Sequence, residues 1–188
     1  MTILERLEML KTVIEDDNTA KRISQAAAFQ VIAEYKQRIF SEGLDSSGAP
    51  IGTYSVNPFY INPKTLIGVK AAGIKPEGKN GQTVFKNGKP HKTKYLTQGY
   101  AQLRDLTGRQ SSTVDLNFSG SLFESIKVTE SGLVSRVTYT NAKNAEIMAG
   151  QEQHFTRDIS SVSDEEREQG EEAARNELLA ILEEIDLL

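Results

Sequence analysis

The chain contains no cysteine and no tryptophan, and only two of its 188 residues are histidine. Zero cysteines excludes disulfides and thiolate metal sites. The histidines, His91 and His154, are too few for a metal cluster, and neither has the company that catalysis needs. His91 sits among lysines and reads as a solvated loop residue. His154 lies near Arg157 and Asp158, with no nucleophile or second histidine beside it. The glycines of the long central loop lack the strand and helix that would make a phosphate-binding loop. Neither an enzyme nor a bound cofactor is expected. Apolar runs are short: none approaches the roughly eighteen residues of a membrane span. The opening MTILERLEML interleaves acids and bases with its apolar positions, unlike a secretory leader. No membrane role is therefore expected, and synthesis in the cytosol is. Proline is scarce and confined, all five residues falling between positions 50 and 90.

That confinement divides the chain. Leu44 to Thr93 is rich in Gly, Pro, Lys and Asn, which rules out regular helix over any length. At about fifty residues it is long for a loop within one domain, and loops of that length are functional or disordered. Thr83 to Lys86 and Lys89 to Lys92 flank Asn87-Gly88, a favourable tight turn, so a projecting β-hairpin is predicted. Tyr54, Phe59, Tyr60 and Phe85 would anchor such an arm.

Outside the loop the apolar residues are periodic. Thr2 and Glu5 match a capping box, and Ile3, Leu7, Leu10 and Ile14 follow at helical spacing. Asn18 is placed to cap a second helix, whose stripe Ala28, Ile32, Tyr35 and Ile39 stops at Gly43. The second stripe reads as core; the first suits either the core or a neighbouring subunit. From Lys94 a helical period returns through Leu96, Gly99 or Tyr100, Leu103 and Leu106, ending at Gly108. Ala142 to Gln151 reads as a short helix with Ala145, Met148 and Ala149 inward, and Gln151 to Val162 as a loop. Ser163 with Glu166 forms a second capping box, opening a helix striped by Ala174, Leu178, Ile181 and Ile185. Gly170 weakens its first turns by roughly 1 kcal/mol relative to Ala.

The stretch DLNFSGSLFESIKVTESGLVSRVTYT, Asp115 to Thr140, is the centre of organisation. Val114, Leu116 and Phe118 alternate with Thr113, Asp115 and Asn117, which predicts a strand whose polar face looks outward. Leu122 and Ile126, four apart, predict one helical turn. Ser131-Gly132 then joins Lys127 to Glu130 with a returning strand carrying Leu133, Val137 and Tyr139. The expected fold is α+β, one domain over 1–188. A small antiparallel sheet, about Thr113 to Tyr139, packs against N-terminal and C-terminal helices, with a basic loop or β-hairpin arm inserted at 44–93.

The net charge of −4 conceals a segregation. Lys64 to Arg109 holds ten Lys or Arg against Glu77 and Asp105, a balance of about +8. Ser163 to Leu188 holds ten acids against Arg167 and Arg175, about −8. Such blocks keep a protein soluble, and they can also attract one another within or between subunits.

Four short stretches, taken in order, carry a resemblance. Gly120, Leu122, Ser125 and Ile126 followed by a hairpin resemble the central motif of tailed-phage tail-completion and virion-morphogenesis proteins. FSEGLDSSGAPIG (Phe40 to Gly52) is similar to that family's helix end and Gly-rich segment, and YAQLRDLTG (Tyr100 to Gly108) to the helix before its central motif. RDISSVSDEE (Arg157 to Glu166) resembles the Arg-containing loop that leads into the family's C-terminal helix. The resemblance implies a structural subunit of the neck or tail-end ring that completes the tail and joins it to the head. It further implies a homo-oligomer on the order of six or twelve copies, contacts with other neck and tail proteins, and residence in the virion after assembly in the host cytoplasm. The charge blocks and the family pattern together then nominate assembly or DNA-facing residues: Lys64, Lys70, Lys75, Lys79, Lys86, Lys89, Lys92 and Lys94 on the arm, Arg157 in the loop, and Glu165, Glu168, Glu171 and Glu172 on the C-terminal helix. A nucleic-acid-binding module using the basic 64–109 segment, with Tyr60, Phe85, Tyr95 and Tyr100 for stacking, is the alternative. Passive contact with DNA in a ring's channel would reconcile the two.

Overall fold

In the computed structural model, residues 2–62, 75, 77–79, 81–82, 85–90, 93–117 and 119–185 are described. In chain order the helices are α1 Ile3–Glu15, α2 Asp17–Gln37, α3 Gly99–Leu106, α4 Ser121–Ser125, α5 Ala142–Phe155 and α6 Asp164–Glu184, with a π-helical turn Arg38–Glu42 after α2. The strands are β1 Phe59–Ile61, β2 Phe85–Lys86, β3 Lys89–Pro90, β4 Lys94–Leu96, β5 Ile126–Ser131 and β6 Val134–Tyr139. They form three two-stranded antiparallel ladders, β1 with β4, β2 with β3 and β5 with β6. The fold is α+β. Among the described residues no helix is long and apolar enough to cross a membrane.

Two helices of 21 residues, α2 and α6, form the frame. They run antiparallel, Gly170 of α6 lying against Val31, and Arg22 reaching Glu177 and Glu184 further along. A Cβ on Gly170 would stand 2.6 Å from Val31 Cγ2. The residue that weakens the helix locally is therefore what lets the two helices approach. The β5/β6 hairpin also packs on α2. The Ser135 amide donates to Ser24 Oγ at 2.9 Å, and the Tyr35 and Tyr139 hydroxyls meet at 3.0 Å. Tyr35, Ile39, Phe40, Ile51, Val114, Leu122, Ile126, Met148 and Ile159 make the core.

Several expectations are corrected. The cap of α2 is Asp16, which accepts from the Thr19 amide at 2.8 Å, two residues before the expected Asn18 site. Lys94–Leu96 is strand, because pairing with β1 outweighs the helical spacing; the helix begins only at Gly99. Residues 113–117 form no strand: Leu116 has φ 49°, and Asp115 turns inward next to buried Val114. Phe118 lies outside the described residues. Helix α5 continues to Phe155, and Ala149 is exposed, while Asn144 is buried and donates to the Ser121 carbonyl at 3.0 Å. Leu133 sits exposed in the hairpin turn.

Candidate assembly surfaces

Two buried charge clusters hold the elements that carry the surfaces. In the first, Arg38 Nε donates to Glu166 Oε1 at 2.6 Å. Its remaining guanidinium groups donate to the carbonyls of Leu44, Ile159 and Ser161 at 3.0–3.3 Å. Glu166 is the third residue of α6's capping box, and it also accepts from the Ser163 amide at 2.8 Å. The acid expected to favour the helix N-terminus is thus a buried ion. One ion pair ties the end of α2, the 44–51 loop, the loop before α6 and α6 itself.

In the second cluster the Arg104 side chain is 2% exposed. Its Nη2 donates to Asp115 Oδ2 at 2.7 Å, Nε to the Gln110 carbonyl at 2.6 Å and Nη1 to the Asn117 carbonyl at 3.1 Å. The guanidinium lies 4.5 Å from the centre of the Tyr54 ring. Tyr54 donates its hydroxyl to Asp115 Oδ1 at 2.8 Å and accepts from the Asp115 amide at 3.0 Å. Burial pushes this phenol above its ordinary range, which keeps it a donor. Removing charges from water costs several kcal/mol each, repaid only when the buried ions find good geometry and further hydrogen-bond partners.

The arm is rooted on this cluster. Gly99 has φ +57°, and a Cβ there would fall 2.5–2.7 Å from backbone atoms of Asn57, Ser55 and Val56, so the position demands glycine. The Tyr100 amide donates to the Ser55 carbonyl at 2.8 Å, and its ring leans on Tyr54 at 5.4 Å. From there β1 and β4 leave as a ladder, with Tyr60 and Tyr95 in contact at 4.8 Å and Lys94 Nζ on Glu77 Oε2 at 2.6 Å. The β2/β3 hairpin forms on Asn87-Gly88, both at positive φ, as expected.

Of the nominated residues, Lys75, Lys79 and Lys89 are exposed, Lys79 lying 5.5 Å over the Tyr95 ring. Lys94 is half-buried in its pair with Glu77, and Lys86 stands on β2 opposite Lys89. Lys64, Lys70 and Lys92, with His91, lie outside the described residues. Glu165, Glu168, Glu171 and Glu172 are exposed on α6. Among the described residues no ion pair joins the arm to α6; the partners of α6 are on α2 and in its own first turn. Arg157 is tied to Asp45, 3.4 Å away. Asp45 also accepts from the amides of Ser47 and Ala49 and from the Ser47 hydroxyl. Burial alone would raise its pKa, but these bonds and the Arg157 charge hold it below the ordinary aspartate value.

Helix α1 offers a different surface. It has no buried residue, and Ile3, Leu4, Leu7 and Ile14 are 81%, 67%, 57% and 62% exposed. Its capping box is formed, the Thr2 amide donating to Glu5 Oε2 at 2.6 Å.

Sequence reasoning passed over Arg38, Asp45, Arg104 and Asp115 as working residues. A usable signal was present for two of them, since Arg38 follows the Tyr35 stripe by three residues and Arg104 follows Leu103. A charge beside an apolar stripe needs a buried partner. No family model, no curated protein and no solved structure matches this chain.

Proposed function

We propose that the protein is a structural subunit of a phage virion, part of the neck or tail-end ring that completes the tail and joins it to the head. One observation supports this reading above the others. Oppositely charged groups stand on separate parts of the same subunit, Lys75, Lys79 and Lys89 on the arm and Glu165, Glu168, Glu171 and Glu172 on α6, with no ion pair between them. A head-to-tail ring needs two different, mutually complementary surfaces on every copy, and charges left apart within a subunit are free to meet across a boundary. The order of the four motifs adds the neck.

The test is a charge swap. Lys75→Glu, Lys79→Glu and Lys89→Glu together should abolish ring formation while preserving the circular dichroism spectrum. Adding Glu165→Lys, Glu168→Lys and Glu172→Lys should restore it. Rings formed normally by the arm variant would refute the reading.

A second reading, nucleic-acid binding by the arm, draws on exposed Tyr60 and Phe85 among the arm lysines. Its mark would be DNA affinity that falls steeply with salt.

A further inference from the structure

The β5/β6 hairpin lies on α2 as a sheet two strands wide, and β6 is the strand tied down, through Ser135 to Ser24 and Tyr139 to Tyr35. The outer edge of β5 is open. Ser131 and Val134 flank the two-residue turn as a hydrogen-bonded pair, and along an antiparallel ladder such pairs alternate with non-bonded ones. Lys127 and Thr129 therefore turn their backbone groups toward β6, while Val128 and Glu130 turn theirs away. Nothing among the described residues meets the amide or carbonyl of either.

Beside that edge, Gln25, Phe29 and Lys36 stand four and seven residues apart on one line of α2. At one end Gln25 donates to Glu130 of β5. At the other, Lys36 Nζ lies 4.4 Å over the ring of Phe123, three residues before β5 begins. The line thus follows β5, and Phe29, between its ends, is 59% exposed. Lys36 and Lys127 crowd each other at the same edge: burial first, then the Lys127 charge, holds the Lys36 ammonium below its ordinary pKa. Among the described residues no ion pair includes either lysine.

We propose that the open edge of β5 takes a third strand from a partner protein, an extended segment that alternates apolar and acidic residues. Its backbone pairs with Val128 and Glu130, its apolar side chains cover Phe29, and its acids lie beside Lys127 and Lys36. Only an extended chain presents donors and acceptors at the two-residue repeat of this edge. Alternation then sends one set of side chains down onto α2 and the other out beside Lys127. The described strands of this chain do not fit, since β1, β2, β3, β4 and β6 carry no carboxylate. A second β5 does not fit either, because its one acid, Glu130, is already bonded to Lys21. The site uses neither the arm nor α6, so it stands apart from the proposed ring contacts.

The test uses the full chain and a fluorescein-labelled hexapeptide of alternating valine and aspartate, read by anisotropy. It should bind about tenfold more tightly than the valine and lysine counterpart, and hydrogen exchange should slow in Ile126–Ser131. Lys36→Glu with Lys127→Glu should reverse that preference. Phe29→Ser, on an exposed side chain, should weaken binding about tenfold with an unchanged melting temperature. Methylating alternate peptide nitrogens separates strand addition from charge attraction: one of the two sets should abolish binding and the other preserve it. No binding of the aspartate peptide, or an equal effect of the two sets, would overturn the proposal. Protection of Ile126–Ser131 that rises with protein concentration without peptide would make a second copy the occupant, and would overturn the assignment to a partner protein.

Discussion

Helices α1 and α6 begin with the same device and end in different situations. Thr2 with Glu5 and Ser163 with Glu166 both form complete capping boxes. Glu5 stays in water at the start of a helix with no buried residue, whereas the Glu166 side chain is 3% exposed and bonded to Arg38. A local signal therefore sets where a helix starts. The energy holding it in place comes from what its side chains meet afterwards.

The sharpest way to break this contrast is to remove each acid. Glu166→Ala leaves Arg38 buried without its carboxylate and should cost about 3–5 kcal/mol, a fall in melting temperature on the order of 10 °C. Glu5→Ala should stay within about 0.5 kcal/mol. Thermal unfolding by circular dichroism measures both. Next in size is Tyr54→Phe, which strips the Asp115 amide and carboxylate of one buried partner each and should cost about 1–3 kcal/mol by urea denaturation. Gly170→Ala sets a helix-propensity gain of about 1 kcal/mol against the Val31 clash, where overpacking costs about 1–3 kcal/mol. A net loss near 1 kcal/mol is expected, and a net gain would mean that α2 and α6 part without cost. The hydroxyl caps come next. Ser163→Ala should lower global stability by about 1 kcal/mol, while Thr2→Ala should leave the melt unchanged and only speed amide exchange in the first turn of α1.

The smallest effect is a pH dependence. The Asp45 pKa is held below its ordinary value, so its contribution to stability is full above the ordinary aspartate pKa. It is lost as pH falls through the lowered one. Melts between neutral pH and about pH 2.5 should converge for wild type and Asp45→Asn at the acid end. A gap that stays constant would show that the carboxylate's charge is irrelevant there.

What was legible in the sequence was local. Both capping boxes, the Asn87-Gly88 turn, the α2 stripe and the stop at Gly43 all depend on residues within a few positions of one another. They formed as expected. The misreadings share a physical cause, a partner distant in sequence. Lys94–Leu96 is strand because β1 lies beside it. Asp115 turns inward because Arg104 and Tyr54 satisfy it, overriding an alternation that places polar residues outside. The pairing of Arg157 with Asp45 was likewise out of reach of a local reading. The charge segregation was visible from composition, but its separation onto elements that share no ion pair among the described residues was not, because ion pairing depends on how α6 docks on α2.

The measurement closest to the central claim is the mass of the purified protein in solution across a salt series, by light scattering, with negative-stain images of the same fractions. The account predicts closed rings at low salt, or rings that form once heads or tail tubes are added, dispersing as salt screens the arm and α6 charges. A protein that forms no ring under any of these conditions and ignores phage particles would contradict it.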